Sequence, residues 1–261
     1  LRHMICAPEG KKLVVVDLSQ IEVRTLCWLA EDKATLHEIA NTEDIYEAFA
    51  IRMDLWEKDR GSLKEKNPKL RHKVKAIVLG CGYGAGANKF SEMYDMPIVE
   101  AKSAVDLYRN RLFAIPKFWR KINSRLRQCY NTKTPYVALL PSGRNIDYGR
   151  IKLVKQNDRL SHQAIISRNG KRLPMKLWGG VVAENLSQGL ARDVFSDMIV
   201  RLEKEGLELI FHVHDEVIIE CDEKDAESVL EKTIEIMSTP PTWIPDIPLA
   251  AEGQIIQRYQ K

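Results

Sequence analysis

Nowhere do the 261 residues hold an uninterrupted apolar run of the roughly 18 residues that a membrane span requires. The opening LRHMICAPEG lacks the apolar core of a signal peptide, and no Met stands at position 1. These absences predict a cytoplasmic protein with no membrane partner, present here as a fragment or as one partner of a split protein. Cysteine is sparse. The five, Cys6, Cys27, Cys81, Cys129 and Cys221, are far apart, odd in number and never in a C-x-x-C pair. Their spacing argues against a disulfide framework and a structural zinc site, so they read as reduced thiols, mostly packing. A net charge of +4 is too small to name a partner. Internal repeats and low-complexity segments are absent too.

What is present suits a globular protein of one large or two smaller domains, with 44% hydrophobic and 29% charged residues. Charge is unevenly spread. Lys58, Arg60, Lys64, Lys66, Lys69, Arg71, Lys73 and Lys75 crowd one short stretch, which fits either a polyanion or a solvated helix face.

The stretch LVVVDLSQIEVR from Leu13 to Arg24 runs four apolar residues, three of them β-branched, into Asp17. It reads as a buried strand with a carboxylate at its end. Asp17 is there either to cap the next helix or to serve a site. Ile21 to Met53 repeats apolar residues every three to five positions, predicting short helices. Asn67-Pro68 predicts a helix start, with the helix running toward Gly80. More helix follows from Ile98 to Tyr130, broken at Pro116. TPYVALLPSGRNIDYGRIKLV reads as a hairpin around Pro141-Ser142-Gly143, and Asn169-Gly170 marks another turn. A helix over Val182 to Glu205 puts Leu186, Leu190, Val194, Met198 and Leu202 on one stripe and ends at Gly206. In LELIFHVHDEVIIECD, two β-rich runs flank His214-Asp215-Glu216, predicting strand, acidic turn, strand, with the carboxylates at the tip. A helix over Asp225 to Met237 and a last strand, LAAEG, complete the chain.

Asp17 and Asp215 thus both stand where a strand ends. If those strands are neighbours, the carboxylates can bridge two Mg²⁺ ions about 3.5–4 Å apart, an arrangement suited to in-line phosphoryl transfer. On the helix from Pro68, Arg71, Lys75, Leu79 and Tyr83 recur every fourth residue. Two cations for triphosphate oxygens, an apolar residue and a ring for a base share one stripe, although a solvated basic face ending in a core tyrosine has the same pattern.

These residues resemble the motifs of the family A DNA polymerases, the DNA polymerase I family. Asp17 to Arg24 is similar to D-[YF]-S-x-I-E-x-R. Arg71-His72-Lys73-Val74-Lys75 through Tyr83-Gly84 is similar to the family's second motif, and His214-Asp215-Glu216 matches its H-D-E. Weaker matches are Asp44-Ile45-Tyr46, Ile115-Pro116 and Gln188. The wording from Trp178 to Asp193 resembles the phage and prophage branch.

The resemblance implies an α/β (α+β) fold, an antiparallel palm sheet with a mainly helical fingers subdomain inserted. Palm would cover 1–28 and 178–261. Fingers would cover 29–177, with the nucleotide-binding helix at about 68–80 and a following hairpin. It implies a DNA-directed DNA polymerase acting on primer-template DNA and dNTPs with two Mg²⁺, for which Mn²⁺ can substitute. Asp17, Asp215 and the Leu18 backbone would hold metal, with Glu216 in support. Glu22 would exclude a 2′-hydroxyl. Arg71 and Lys75 would grip the triphosphate, Lys75 also protonating the leaving pyrophosphate. Gln20, Tyr46, Leu79 and Tyr83 would line the nucleotide site, and His214, Gln188, Arg24 and Arg144 would meet DNA, Arg24 being more structural than catalytic.

Several positions depart from the pattern. Leu79 replaces an aromatic residue, Tyr46 a histidine, Gly180 an arginine and Leu18 an aromatic residue. No thumb and no 3′→5′ exonuclease can be read in the chain, so weak template binding is expected unless another segment or subunit supplies that grip. The rival readings are a single-subunit RNA polymerase, disfavoured by Glu22, and an idle primer-template binding module, disfavoured by the intact carboxylates.

Overall fold

The computed structural model describes residues 4–156, 159–168 and 170–259, so Asn169 of the expected turn lies outside the described residues. β1 (Lys11–Leu18) leads through α1 (Ile21–Leu29), α2 (Lys33–Ala40), α3 (Ile45–Arg52), α4 (Leu63–Lys66) and α5 (Pro68–Cys81) to α6 (Ala87–Tyr94), α7 (Ile98–Arg111) and α8 (Ala114–Thr132). Strands β2 (Pro135–Leu139), β3 (Asn145–Arg150), β4 (Lys152–Gln156), β5 (Arg159–Arg168) and β6 (Lys171–Leu177) follow. The chain ends in α9 (Gly179–Lys204), β7 (Leu209–Val213), β8 (Glu216–Asp222), α10 (Ala226–Ser238) and β9 (Ala251–Ile256). Two compact units result: Leu1–Arg24 with Ala191–Lys261, and Thr25–Leu190. Their boundaries fall inside α1 and α9.

The first unit is built on an antiparallel sheet of order β7-β8-β1-β9. β1 is central, and both of its faces are covered. That is why its apolar run is continuous rather than alternating. Leu13 and Val15 pack with Ala7, Ile218 and Tyr259 on one face. On the other, Val14 and Val16 are fully buried beneath α10, where Leu230 and Val16 close over Gly253. Each such valine contributes about 1.5–3 kcal/mol through burial. A Cβ on Gly253 would meet both at 2.7 Å, so this strand position has room only for glycine.

The turn out of β1 is made by Gln20 in the left-handed region, φ 47°. Its carbonyl accepts the Val23 and Arg24 N–H groups. Arg24 is only 5% exposed, and its guanidinium donates to the Ser19 and Pro248 carbonyls at 2.7 and 2.9 Å. It is a buried brace between the β1 turn and the segment entering β9. α9 ends as its glycine predicts. Gly206 has φ 75°, its N–H donates to Glu203, and the Leu207 N–H reaches back to Leu202.

In the second unit, Asn67 caps α5 by accepting from the Leu70 N–H at 3.1 Å, with Pro68 in the first turn. Val74, Ile77, Val78 and Cys81 form the buried face. Burial pushes the Cys81 thiol up to about 12, so it stays protonated and inert, as the cysteine spacing suggested. The expected break at Pro116 is corrected. α7 and α8 part at Leu112–Phe113, and Pro116 is the third residue of α8, where its missing N–H has no helical partner to lose. The hairpin β2–β3 turns at 141–143 as expected, with Tyr136 and Tyr148 stacked 5.4 Å apart. A separate antiparallel sheet, β4-β5-β6, follows it. Among the described residues, no helix is long and apolar enough to cross a membrane.

Candidate functional site

The sheet unit gathers the acidic residues at one end of β1. β1 and β8 are neighbours, with Asp17 directly opposite Glu216 and the Leu18 N–H donating to the Asp215 carbonyl at 3.2 Å. Asp17 and Asp215 therefore stand at the same end of adjacent strands, the condition on which their convergence depended. On the other side of β1, Asp17 is opposite Glu252 of β9. Directly opposed residues share a sheet face, so Glu216, Asp17 and Glu252 form a row across three strands. Glu252 accepts from the Ser19 hydroxyl at 3.1 Å. Sequence reading missed it because nothing local links position 252 to position 17.

His214 and Asp215 make a two-residue turn between Val213 and Glu216. His214 is exposed with φ 56°, a left-handed conformation that costs a non-glycine residue energy and recurs at functional sites. Asp215 is half-buried at the turn. Glu216, expected with it at the tip, is instead inside β8 and only 4% exposed, where it accepts a hydrogen bond from the buried Tyr259 hydroxyl. The alternation of a strand explains the difference: Asp215 ends the turn, and Glu216 is the first residue pointed to the core face. The backbone of Tyr259 is held by the Ile5 carbonyl at 2.9 Å. Gln20 and Glu22 are both exposed, in the β1 turn and the first turn of α1.

Among the described residues, no group of three or more His, Cys, Asp and Glu is placed to hold a metal ion. The donors at this end of the sheet nevertheless fit Mg²⁺. Two carboxylates and a backbone carbonyl are all hard oxygens, and Mg²⁺ commonly binds through one or two carboxylates plus waters and substrate phosphates rather than a full protein cage.

The helical unit carries the cationic residues. Arg71, Lys75 and Leu79 run along α5 beside its buried stripe, Arg71 half-buried, Lys75 exposed and Leu79 47% exposed. Tyr83 follows one residue after the Gly82 cap and is half-buried. Arg71 makes a two-point ion pair with Asp44, Nε to Oδ2 at 2.5 Å and Nη2 to Oδ1 at 3.1 Å. Asp44 also caps α3 through the Tyr46 N–H. The Tyr46 ring lies beneath both cations, 5.1 Å from the Arg71 guanidinium and 5.8 Å from Lys75 Nζ. Tyr46 is only 3% exposed. Burial raises its phenol pKa, opposed in part by the Arg71 charge. It is a platform for the cations. Asp44, outside the expected site residues, orients Arg71; its place before Ile45-Tyr46 was the available signal.

Trp178 packs over the turn that carries Tyr83. A Cβ on Gly84, itself at φ 84°, would strike the Trp178 ring, and one on Gly180 would strike both that ring and the Tyr83 carbonyl. This explains the departure at 180, where a side chain has no room. Gln188 is exposed on α9. Arg144 donates to the Gly189 carbonyl at 2.7 Å, tying the β2–β3 hairpin to that helix.

The family model described as DNA polymerase family A matches residues 1–261. The chain is 30% identical to the DNA polymerase of Bacillus phage SP02, covering 100% of this chain and 43% of that protein. It is 27% identical to the thermostable DNA polymerase I of Thermus thermophilus, covering 97% of this chain and 27% of that one. A solved structure of the POL domain of Pol1 from M. smegmatis, in complex with DNA primer-template and dNTP, matches with a TM-score of 0.69 at 21% identity. That match covers 99% of this chain and 42% of the other, and shows a shared fold. The chain thus spans under half the length of these proteins.

Proposed function

The chain belongs to DNA polymerase family A, and from that premise we propose that it is the palm and fingers of a DNA-directed DNA polymerase, adding deoxynucleotides to a primer 3′ end. The observation that carries this reading is the placement of Asp17 and Asp215 at one end of adjacent strands β1 and β8. The sheet unit is the palm and the helical unit the fingers. The Bacillus phage relative supports a role in phage or prophage replication in the cytoplasm of a bacterial host.

The residues divide the chemistry. Asp17, Asp215 and the Leu18 carbonyl would hold two Mg²⁺, which would supply Lewis-acid stabilisation of the phosphoryl oxygens. Mn²⁺ suits the same donors. Arg71, oriented by Asp44, binds triphosphate oxygens through its fork of donors. Lys75 binds alongside it and gives its proton to the leaving pyrophosphate, neutralising charge as the P–O bond breaks. Leu79 and Tyr83 border the nucleotide. His214 and Gln188 meet the primer-template. Glu22 stands beneath the sugar, where a 2′-hydroxyl would crowd its carboxylate. Glu216, held by Tyr259, orders the β8 end of the site. A thumb, from the same chain or another, supplies the grip on duplex DNA.

Primer extension with dNTPs and with NTPs tests the reading. The wild-type chain incorporates dNTPs, and Glu22→Ala admits NTPs about 10²-fold more readily, a gain of roughly 2.7 kcal/mol in relative transition-state binding. Equal use of NTPs and dNTPs by the wild-type chain would sink the assignment of Glu22.

A further inference from the structure

The sheet β4-β5-β6 takes no part in the chemistry above, and its charge is one-sided. Residues 150–177 contain Arg150, Lys152, Lys155, Arg159, Arg168, Lys171, Arg172 and Lys176 against a single carboxylate, Asp158. The register sorts part of this set by face. Lys152 is opposite Gln163, Gln163 is opposite Lys176, and Ser167 is opposite Arg172. Directly opposed residues share a face and alternate residues along a strand return to it, so Lys152, Lys176 and Arg172 project from the same side. All three are exposed. The opposite side is packed around Ala164 and Leu177, each 1% exposed, and His162, which meets the Tyr130 ring edge-on at 6.1 Å, while Leu160 and Leu173 on that side stay 66% and 43% exposed.

We propose that this outward face, with Lys152, Arg172 and Lys176, is a docking platform for the phosphate backbone of duplex DNA. The inference rests on the polymerase reading for the identity of the polyanion. Strand spacing separates Lys152 from Lys176 by about 10 Å across β5, and four residues of β6 separate Lys176 from Arg172 by about 14 Å. That span is comparable with the major groove of B-DNA, about 12 Å wide, so the cations can reach phosphates on its two sides. Val154, Ser161, Gln163, Ile165, Ser167 and Pro174 share this side, of which Ser161 is only 9% exposed, and none carries an aromatic ring. Single-stranded nucleic acid is ordinarily held by aromatic rings on which bases stack, and this face offers none. Contacts from these cations to phosphates carry no sequence information, so the docking proposed here is indifferent to base sequence. It would add to the grip on duplex that the palm and fingers alone lack.

The test measures binding of a fluorescently labelled blunt duplex by anisotropy over a range of KCl concentrations. The full chain is compared with a Lys152→Gln, Arg172→Gln, Lys176→Gln triple variant. Each phosphate contact contributes about 0.9 to the slope of log affinity against log salt, so the triple variant should lose about 2 to 3 from the slope and bind about tenfold or more weakly near 100 mM salt. A control with the same loss of charge, Lys89→Gln, Lys102→Gln, Lys224→Gln, should keep the wild-type slope. All six side chains are exposed, and equal thermal midpoints would verify that folding is intact. An unchanged slope in the first triple variant overturns the proposal. So does an equal fall in the control, or a slope lost for single strands but not for duplex. Primer extension by the wild-type chain is scored separately: its absence together with a reduced duplex slope would leave the platform standing and remove the polymerase reading.

Discussion

Asp17→Ala and Asp215→Ala should each lower the kcat of primer extension on the order of 10³-fold or more, while the protein still binds primed DNA. Each substitution removes an anionic oxygen donor from an end of the sheet where Asp17 and Asp215 sit on neighbouring strands. Both side chains are half-buried, so truncation leaves no large cavity, and the melting temperature should move by only a few degrees. Asp17→Asn and Asp215→Asn keep the shape and remove the charge. They should lose nearly as much activity, separating metal holding from packing. Activity near wild type in both alanine variants would defeat the assignment of the metals to this pair.

Gly180→Ala should instead damage the fold around Tyr83. The added methyl group would overlap the Tyr83 carbonyl and the Trp178 ring, and backbone cannot yield as the tip of a flexible side chain can. Overpacking of this kind costs about 1–3 kcal/mol, and at about 2–4 °C per kcal/mol the thermal midpoint should fall by roughly 2–12 °C. If the strain is relieved by moving Tyr83, KM for dNTP rises more than kcat falls. Gly180→Arg, which introduces the side chain that bacterial relatives are expected to carry there, should be worse on both measures. A Gly180→Arg protein with an unchanged midpoint and unchanged KM would show that the close approach of residues 83, 178 and 180 is not maintained in solution.

The sheet end was legible because its signals are local. A β-branched run ending in an acid gave β1 and Asp17, and two apolar runs around His-Asp gave β7, β8 and the turn between them. The direction of Glu216 was not legible, since it depends on where the turn stops and on Tyr259, 43 residues away. Arg24 and Arg71 show the same limit. Each was recognisable as a cation in a motif, but their partners, the Pro248 carbonyl and Asp44, come from elsewhere in the chain. Pro116 misled because a proline in the first turn of a helix and a proline that breaks one look alike when the start of the helix is unknown. Strands β4 to β6 were only partly read. Their many lysines and arginines dilute the apolar alternation that marks a strand, and it is that same composition which makes their outer face cationic.

Single-nucleotide addition asks whether the template base selects the nucleotide that the chain adds. Four primed duplexes differing only in the first unpaired template base are each offered one dNTP at a time with Mg²⁺, and with a thumb segment supplied where the chain alone holds DNA too weakly. Extension by one nucleotide is expected in the four complementary pairings, with release of one pyrophosphate per addition and little product in the others. Binding of all four duplexes without extension, or addition that ignores the template base, would contradict the polymerase reading.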